Sequence, residues 1–185
     1  LASWALLLAI EDFVVGIAAS GTTPFVHGAI HRARSLGART AIVACTQPPD
    51  SLLADCDIAI VAVVGPEVVT GSTRLKAGTA TKLVLNTITT GAMILLGKTY
   101  GNLMVDMRAT NAKLSDRAER IMIEVTGVSR ERARELLAAA GGLVKTAIVM
   151  QMLNVGRAAA ESMLAENGGV IRRVVPGAPP PVADD

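Results

Sequence analysis

The sequence predicts an α/β fold, a parallel sheet followed by a small helical module. Three observations carry that reading. Short continuous apolar runs recur over 13–18, 40–45 and 57–63, each ending in small or turn-forming residues. A helical pattern separates the first two runs and a shorter one the last two. Strand, helix, strand, helix, strand is the spacing of a parallel sheet with crossover connections. Beyond Gly127 the pattern changes to closely spaced short helices punctuated by glycine.

Taken in order, Phe13-Val14-Val15-Gly16-Ile17-Ala18 reads as a buried strand, because it is apolar throughout rather than alternating. Pro24 stands where a helix can begin, and the helical pattern runs over 25–36 until Gly37 closes it. Thr40-Ala41-Ile42-Val43-Ala44-Cys45 is the second strand, broken by Gln47-Pro48-Pro49-Asp50-Ser51. A short helix over 51–55 and a third strand over 57–63 follow. The pattern is helical again over 72–96, and a further helix is expected over 102–124. Ser129 is placed to cap a helix at 130–140, with Glu131 and Arg132 in its first turn. Gly141-Gly142 ends that helix, and two short helices follow at 143–153 and 157–166. From Pro176 the chain is proline-rich and ends in Asp184-Asp185, which predicts a disordered tail. No internal repeat is visible.

Composition narrows the classes. The 185 residues suffice for one domain with an appendage or for two small domains. Apolar residues reach 51 % while aromatics are only 2 %: Trp4, Phe13, Phe25 and Tyr100. The core must be built from Ala, Val, Leu, Ile and Met. So few aromatics argue against stacking platforms for single-stranded nucleic acid. A formal charge of +2 gives no basic surface for a nucleic-acid partner. Cys45 and Cys56 read as plain thiols of a reducing compartment. The apolar start over 1–10 has no basic flank and is too short to span a bilayer. The apolar run over 83–97 is interrupted upstream by Lys82 and contains Asn86 and several threonines, as a buried helix would. The expectation is a soluble, cytoplasmic protein without membrane contact. The chain begins with Leu, and three strands are few for a sheet covered on both faces. Both features predict a fragment lacking an upstream part.

Two hydroxyl-rich bends carry the chemistry. Ser20-Gly21-Thr22-Thr23 leaves the first strand and enters a helix. Backbone N–H groups at such a place favour an anion, and the hydroxyls add neutral donors. The same residues also read as an N-capped turn with no ligand. In the second bend, Glu67 just past the third strand is followed by Thr70-Gly71-Ser72-Thr73, then Arg74 and Lys76. Glu67 could bind sugar hydroxyls or move a proton. Ser72 and Thr73 could cap the next helix or touch a ligand, and Arg74 or Lys76 could pair with Glu67 or a phosphate. A capped helix with solvated cations accounts for the same residues. The two bends are expected at the tips of adjacent parallel strands, where they could cradle one phosphorylated sugar. His27 and His31 share a helix face at zinc-compatible spacing but lack the carboxylate of metalloprotease helices, so a surface or core role is expected. The polar run of Asp106, Arg108, Asn111 and Lys113 is assigned to packing or subunit contacts.

At these residues a family resemblance enters. The segments Gly16-Ile17-Ala18-Ala19-Ser20-Gly21-Thr22-Thr23-Pro24 and Val63-Val64-Gly65-Pro66-Glu67-Val68-Val69-Thr70-Gly71-Ser72-Thr73-Arg74-Leu75-Lys76-Ala77-Gly78-Thr79-Ala80 closely resemble the N-acetylmuramic acid 6-phosphate etherases. So do Lys98-Thr99-Tyr100-Gly101-Asn102-Leu103-Met104-Val105-Asp106 and Gly141-Gly142-Leu143-Val144-Lys145-Thr146-Ala147-Ile148-Val149-Met150. The resemblance covers about residues 12–173. It implies part of a sugar isomerase (SIS) three-layer sandwich over 1–125, a three-helix module of ubiquitin-associated shape over 126–174, and a tail over 175–185. It also implies a homodimer that needs no metal or organic cofactor. Its reaction is cleavage of the lactyl ether of a phosphorylated amino sugar, N-acetylmuramic acid 6-phosphate, to N-acetylglucosamine 6-phosphate and D-lactate in cell-wall recycling. Family members work by elimination followed by hydration.

By resemblance, Ser20, Gly21 and Thr23 fall on the phosphate loop, and Glu67, Ser72 and Thr73 on the segment that closes over the sugar. Thr22 stands where the family usually has arginine, which removes a cation from the loop, and Phe25 replaces the usual tyrosine. The family's two catalytic glutamates lie upstream of its counterpart to Phe13, so no catalytic residue transfers to this chain. Glu11, Asp12 and Glu67 do not substitute for them. The resemblance therefore implies a lyase as the full-length protein and inactivity of this chain alone. The alternatives are a non-catalytic, phosphosugar-binding regulatory protein and a sugar-phosphate isomerase.

Overall fold

In β1 (Phe13–Ile17) Val14 and Gly16 face one way and Phe13, Val15 and Ile17 the other. A computed structural model describes residues 8–177 of the chain. In it β1 pairs in parallel with β2 (Arg39–Ala44), from Phe13 opposite Arg39 to Ile17 opposite Val43. In turn β2 pairs in parallel with β3 (Ile58–Val61), from Ala41 opposite Ile58 to Ala44 opposite Val61. The sheet order is β1-β2-β3, so the central strand is buried on both faces while β1 and β3 are edges among the described residues.

Helix α1 (Pro24–Ser35) begins on its proline, as expected, and buries Ile30 and Ala33. It lies on the Val14/Gly16 face of β1: a Cβ at Gly16 would stand 2.6 Å from both Val26 Cγ1 and Ile30 Cδ1. On the opposite face Phe13, Val15 and Ile17 are 45, 38 and 46 % exposed. The one-turn helix α2 (Asp50–Leu53) links β2 to β3. Thr40 ties that connection down. Its amide donates to Asp57 Oδ2 at 2.7 Å and its hydroxyl to the Asp55 carbonyl at 2.6 Å.

The contacts divide the chain into two compact units, the first ending at Ile88 and the second beginning at Thr89. The division falls inside helix α3 (Lys76–Leu95). No helix among the described residues is long and apolar enough to cross a membrane.

The second unit corrects one expectation. Instead of a helix over 102–124 there is a short hairpin, β4 (Thr99–Tyr100) against β5 (Leu103–Met104), and helix α4 (Ala112–Thr126) starts ten residues later than read. Gly101 at φ +63° makes the turn. Tyr100 and Val105 are then driven into the core, and Asn111 caps α4 by accepting the Leu114 amide at 2.9 Å. Ser129 caps α5 (Arg130–Ala139) as expected, accepting the Arg132 amide at 3.2 Å. Helices α6 (Val144–Leu153) and α7 (Arg157–Glu166) match the reading, and a four-residue α8 (Ile171–Val174) was not foreseen. One apolar cluster joins Tyr100, Val105, Met122, Leu137, Ile148 and Ile171, so α4 shares its core with α5, α6 and α8. The tail expected over 175–185 lies, from residue 178 onward, outside the described residues.

Candidate functional site

Parallel strands place the bends that follow them at one end of the sheet, beyond the carboxyl ends of the strands. The first bend continues the β1–β2 ladder past the strand ends, with the Cys45 amide donating to the Ala19 carbonyl at 2.9 Å. The third strand's exit is tied to the same residue, the Val64 amide donating to the Cys45 carbonyl at 3.4 Å. Cys45 therefore stands between the two bends. They are not on adjacent strands, as the sequence suggested. They leave β1 and β3, which flank β2, and two strand spacings separate them by about 10 Å.

In the first bend every carbonyl from Ala18 to Thr23 except that of Thr22 has a partner on the protein side. Ala18 O accepts from the Gly21 amide at 2.9 Å and Thr23 O from the Val26 and His27 amides. Ser20 O accepts from the Thr46 hydroxyl at 2.8 Å, and Gly21 O is 2.8 Å from His27 Nε2. Gly21 is buried at φ +66°, and a Cβ there would stand 3.0 Å from Pro48 Cα. Ser20 Oγ, exposed, accepts from the Thr22 amide at 3.3 Å and the Thr22 hydroxyl at 3.0 Å. The Gly21 and Thr22 amides are engaged inside the bend as well, so its suitability for an anion rests on the carbonyls being held off the ligand side and on hydroxyls that can turn to donate.

The second bend is organised by Glu67. Its carboxylate accepts the Lys76 amide on Oε2 and the Ala77 amide on Oε1, both at 3.0 Å. It thus satisfies two of the four orphan amides that open α3. Neither Ser72 nor Thr73 makes this cap, because the helix begins only at Lys76. The Ala77 and Lys76 amides hold the Glu67 carboxyl below the usual carboxylate range, and the Lys76 charge adds to that. An ionised, doubly engaged carboxylate is a poor proton acceptor. The cap is linked to the central strand, since Cys45 Sγ lies 3.5 Å from the Ala77 carbonyl and 3.6 Å from the Thr81 hydroxyl. Lys76 Nζ turns back over Gly65, and Arg74 is exposed with no ion pair among the described residues. A shallow groove of ≈ 480 Å³ along Leu75, Lys76, Thr79, Ala80 and Leu83 flanks this bend.

Comparison with known proteins supplies a lineage. No family model matches the chain. The curated N-acetylmuramic acid 6-phosphate etherase of Photobacterium profundum is 59 % identical over 140 residues, 76 % of this chain and 46 % of that protein. The protein of the same name from Nostoc punctiforme is 57 % identical over 139 residues, 75 % of this chain and 45 % of its own length. That from Mycolicibacterium smegmatis is 57 % identical over 141 residues, 76 % of this chain and 47 % of its own. Over about three quarters of its length the chain is thus similar to N-acetylmuramic acid 6-phosphate etherases. It spans about half the length of the curated relatives it matches.

Within the chain the structure brings Ser20, Gly21, Thr22 and Thr23 into one bend and Glu67, Ser72, Thr73, Arg74 and Lys76 into another at the same carboxyl end of the sheet. Three residues that the sequence reading passed over hold these bends. The sequence alone reads Cys45 as a plain thiol, gives no signal at Thr46, and assigns His27 to a surface or core role. The last two act on backbone carbonyls, a partnership that leaves no mark in residue spacing. His31, exposed on the same helix, goes instead to Asp55 Oδ2 at 2.9 Å. Among the described residues no group of three or more His, Cys, Asp or Glu is placed to hold a metal ion. Glu11 and Asp12 sit before β1, at the other end of the strand from the bends. A separate concavity of ≈ 580 Å³ in the second unit, with Arg108, Thr110, Glu119 and Arg134 on its walls, includes none of the expected site residues.

Proposed function

We propose that the full-length protein is an N-acetylmuramic acid 6-phosphate etherase of SIS type, a cytoplasmic carbon–oxygen lyase. On this reading it releases D-lactate and N-acetylglucosamine 6-phosphate in peptidoglycan recycling. This chain contributes part of the phosphosugar site. Ser20, Gly21, Thr22 and Thr23 take the phosphate. The Glu67–Lys76 segment lies over the sugar, with Ser72 and Thr73 as hydroxyl partners and Arg74 and Lys76 as cations. One observation supports the reading: both bends lie at the carboxyl end of the same sheet and are tied to one residue, Cys45. Glu67 holds the second bend in shape rather than moving a proton, since both of its oxygens serve α3.

That occupancy also favours a second statement: the 185-residue chain binds without catalysing. The acid and base of the elimination come from outside it. A homodimer is the proposed assembly, supported by the exposed apolar side chains Leu83, Ile88, Met93, Ile94 and Leu95 along α3.

Calorimetry with N-acetylglucosamine 6-phosphate tests the reading. Saturable binding that is lost with unphosphorylated N-acetylglucosamine, and no D-lactate release from N-acetylmuramic acid 6-phosphate, are the expected results. Equal binding of both sugars removes the phosphate assignment, and lactate release by the chain alone removes the assignment of acid and base to outside it.

A further inference from the structure

We propose that His27 and Thr46 are positioning residues of the first bend, which fix it as an anion receptor by holding its carbonyls inward. This deepens the proposed phosphosugar site and rests on that reading for its ligand.

The argument is one of polarity. The Ser20–Gly21 and Gly21–Thr22 peptide units are engaged at both ends: their amides donate to Ala18 O and Ser20 Oγ and their carbonyls accept from side chains, so neither carbonyl is left to face a ligand. Ser20 and Gly21 are the two bend residues whose carbonyls accept from a side chain rather than from a backbone amide. Each receives a side chain from a different element: the Thr46 hydroxyl, just past β2, at 2.8 Å from Ser20 O, and the His27 ring, in the first turn of α1, at 2.8 Å from Gly21 O. Both donors follow the bend in sequence, one from α1 and one from the exit of β2. With Gly21 at φ +66° and Pro48 behind it, they hold both carbonyls on the protein side. Rotation of either plane would aim a carbonyl oxygen at the ligand and repel a phosphate.

The chemistry also fixes a tautomer. A carbonyl oxygen only accepts, so the proton of the neutral His27 ring resides on Nε2 and leaves Nδ1 bare. His31, four residues on in the same helix, contacts a carboxylate through Nδ1 instead. The two histidines therefore differ in a way that ring nitrogen shifts report separately.

Three measurements on the full chain test this. Nitrogen-15 spectra of the His27 ring are expected to show the Nε2–H form, and an Nδ1–H ring overturns the proposal. Backbone relaxation of Gly21, Thr22 and Thr23 is expected to show increased mobility in His27→Leu and in Thr46→Val, with thermal midpoints near that of the parent. Bends as rigid as the parent's in both variants overturn it, whether or not a ligand binds. Thr46 is exposed, so its variant folds even if the half-buried His27 does not tolerate change. Affinity for N-acetylglucosamine 6-phosphate is expected to fall about tenfold in each variant and to recover to within about threefold in His27→Gln, which keeps a donor. Undiminished affinity in both variants, alongside loss in Ser20→Ala, overturns the positioning roles and leaves the site reading intact. Loss of binding in none of the three, Ser20→Ala included, instead points to a different ligand site.

Discussion

The carboxylate of Glu67 and the amide of Ala77 are ten residues apart and joined by a 3.0 Å hydrogen bond. With the Lys76 amide on its other oxygen, Glu67 closes the 62–75 connection into a loop anchored on α3. A side chain that a sequence reader assigns to sugar hydroxyls or proton transfer is thereby committed to holding the loop. Glu67→Ala should lower the thermal midpoint by a few degrees, about what loss of a helix cap produces, and free the loop. Glu67→Gln retains acceptor capacity on one oxygen only and should fall between. A midpoint unchanged in both variants contradicts the cap.

Acid should loosen both units. The Thr40 amide beside Asp57 and the Ala77 and Lys76 amides beside Glu67 hold those carboxyls below their ordinary range. In the second unit, the Arg130 hydrogen bond lowers Asp116. Burial alone would push Asp106 up, but its hydrogen bonds from Lys98 and Lys145 outweigh that and leave it lowered. Each folded-state value is depressed. The stability these groups contribute is therefore complete above the unfolded carboxylate range near pH 4 and lost as pH falls through the lower folded values. Denaturant midpoints should be level from about pH 7 to 5 and fall below about pH 4. A midpoint that rises on acidification contradicts these pairings.

Gly21 and Gly28 should respond oppositely to alanine. At Gly21 the backbone is left-handed and the new Cβ would press on Pro48 Cα, so Gly21→Ala should cost about 2 kcal/mol and weaken phosphosugar binding. Gly28 lies within α1 with nothing within 4 Å of its new Cβ, so Gly28→Ala should gain about 0.5–1 kcal/mol. Urea titration of both variants measures the pair, and equal effects contradict the described bend.

Much of the architecture was legible because it rests on local patterns. The runs around Val14, Ile42 and Ile60 were continuous and apolar, Pro24 and Gly37 bounded α1, and Ser129 announced α5. The misreading over 102–124 has a physical source. Leu103, Met104 and Val105 have helical credentials, but Gly101 turns the chain, and burial of Tyr100 and Val105 outweighs propensity. Asn111 was the available signal for the true start of α4. The strand order was not legible either. Nothing local says that β2 lies between β1 and β3, and so the spacing of the bends was misjudged. At the site, hydroxyls and cations were readable as residue types. What Glu67, His27 and Thr46 do was not, because each acts on the backbone of another segment.

Titration of the labelled chain with N-acetylglucosamine 6-phosphate, followed amide by amide, tests the central claim most directly. The account predicts that Ser20 to Thr23 and Ser72 to Ala77 shift together in one saturable process, with Cys45 between them responding. Shifts confined to a single bend, or centred on the concavity of Arg108 and Arg134, would contradict it.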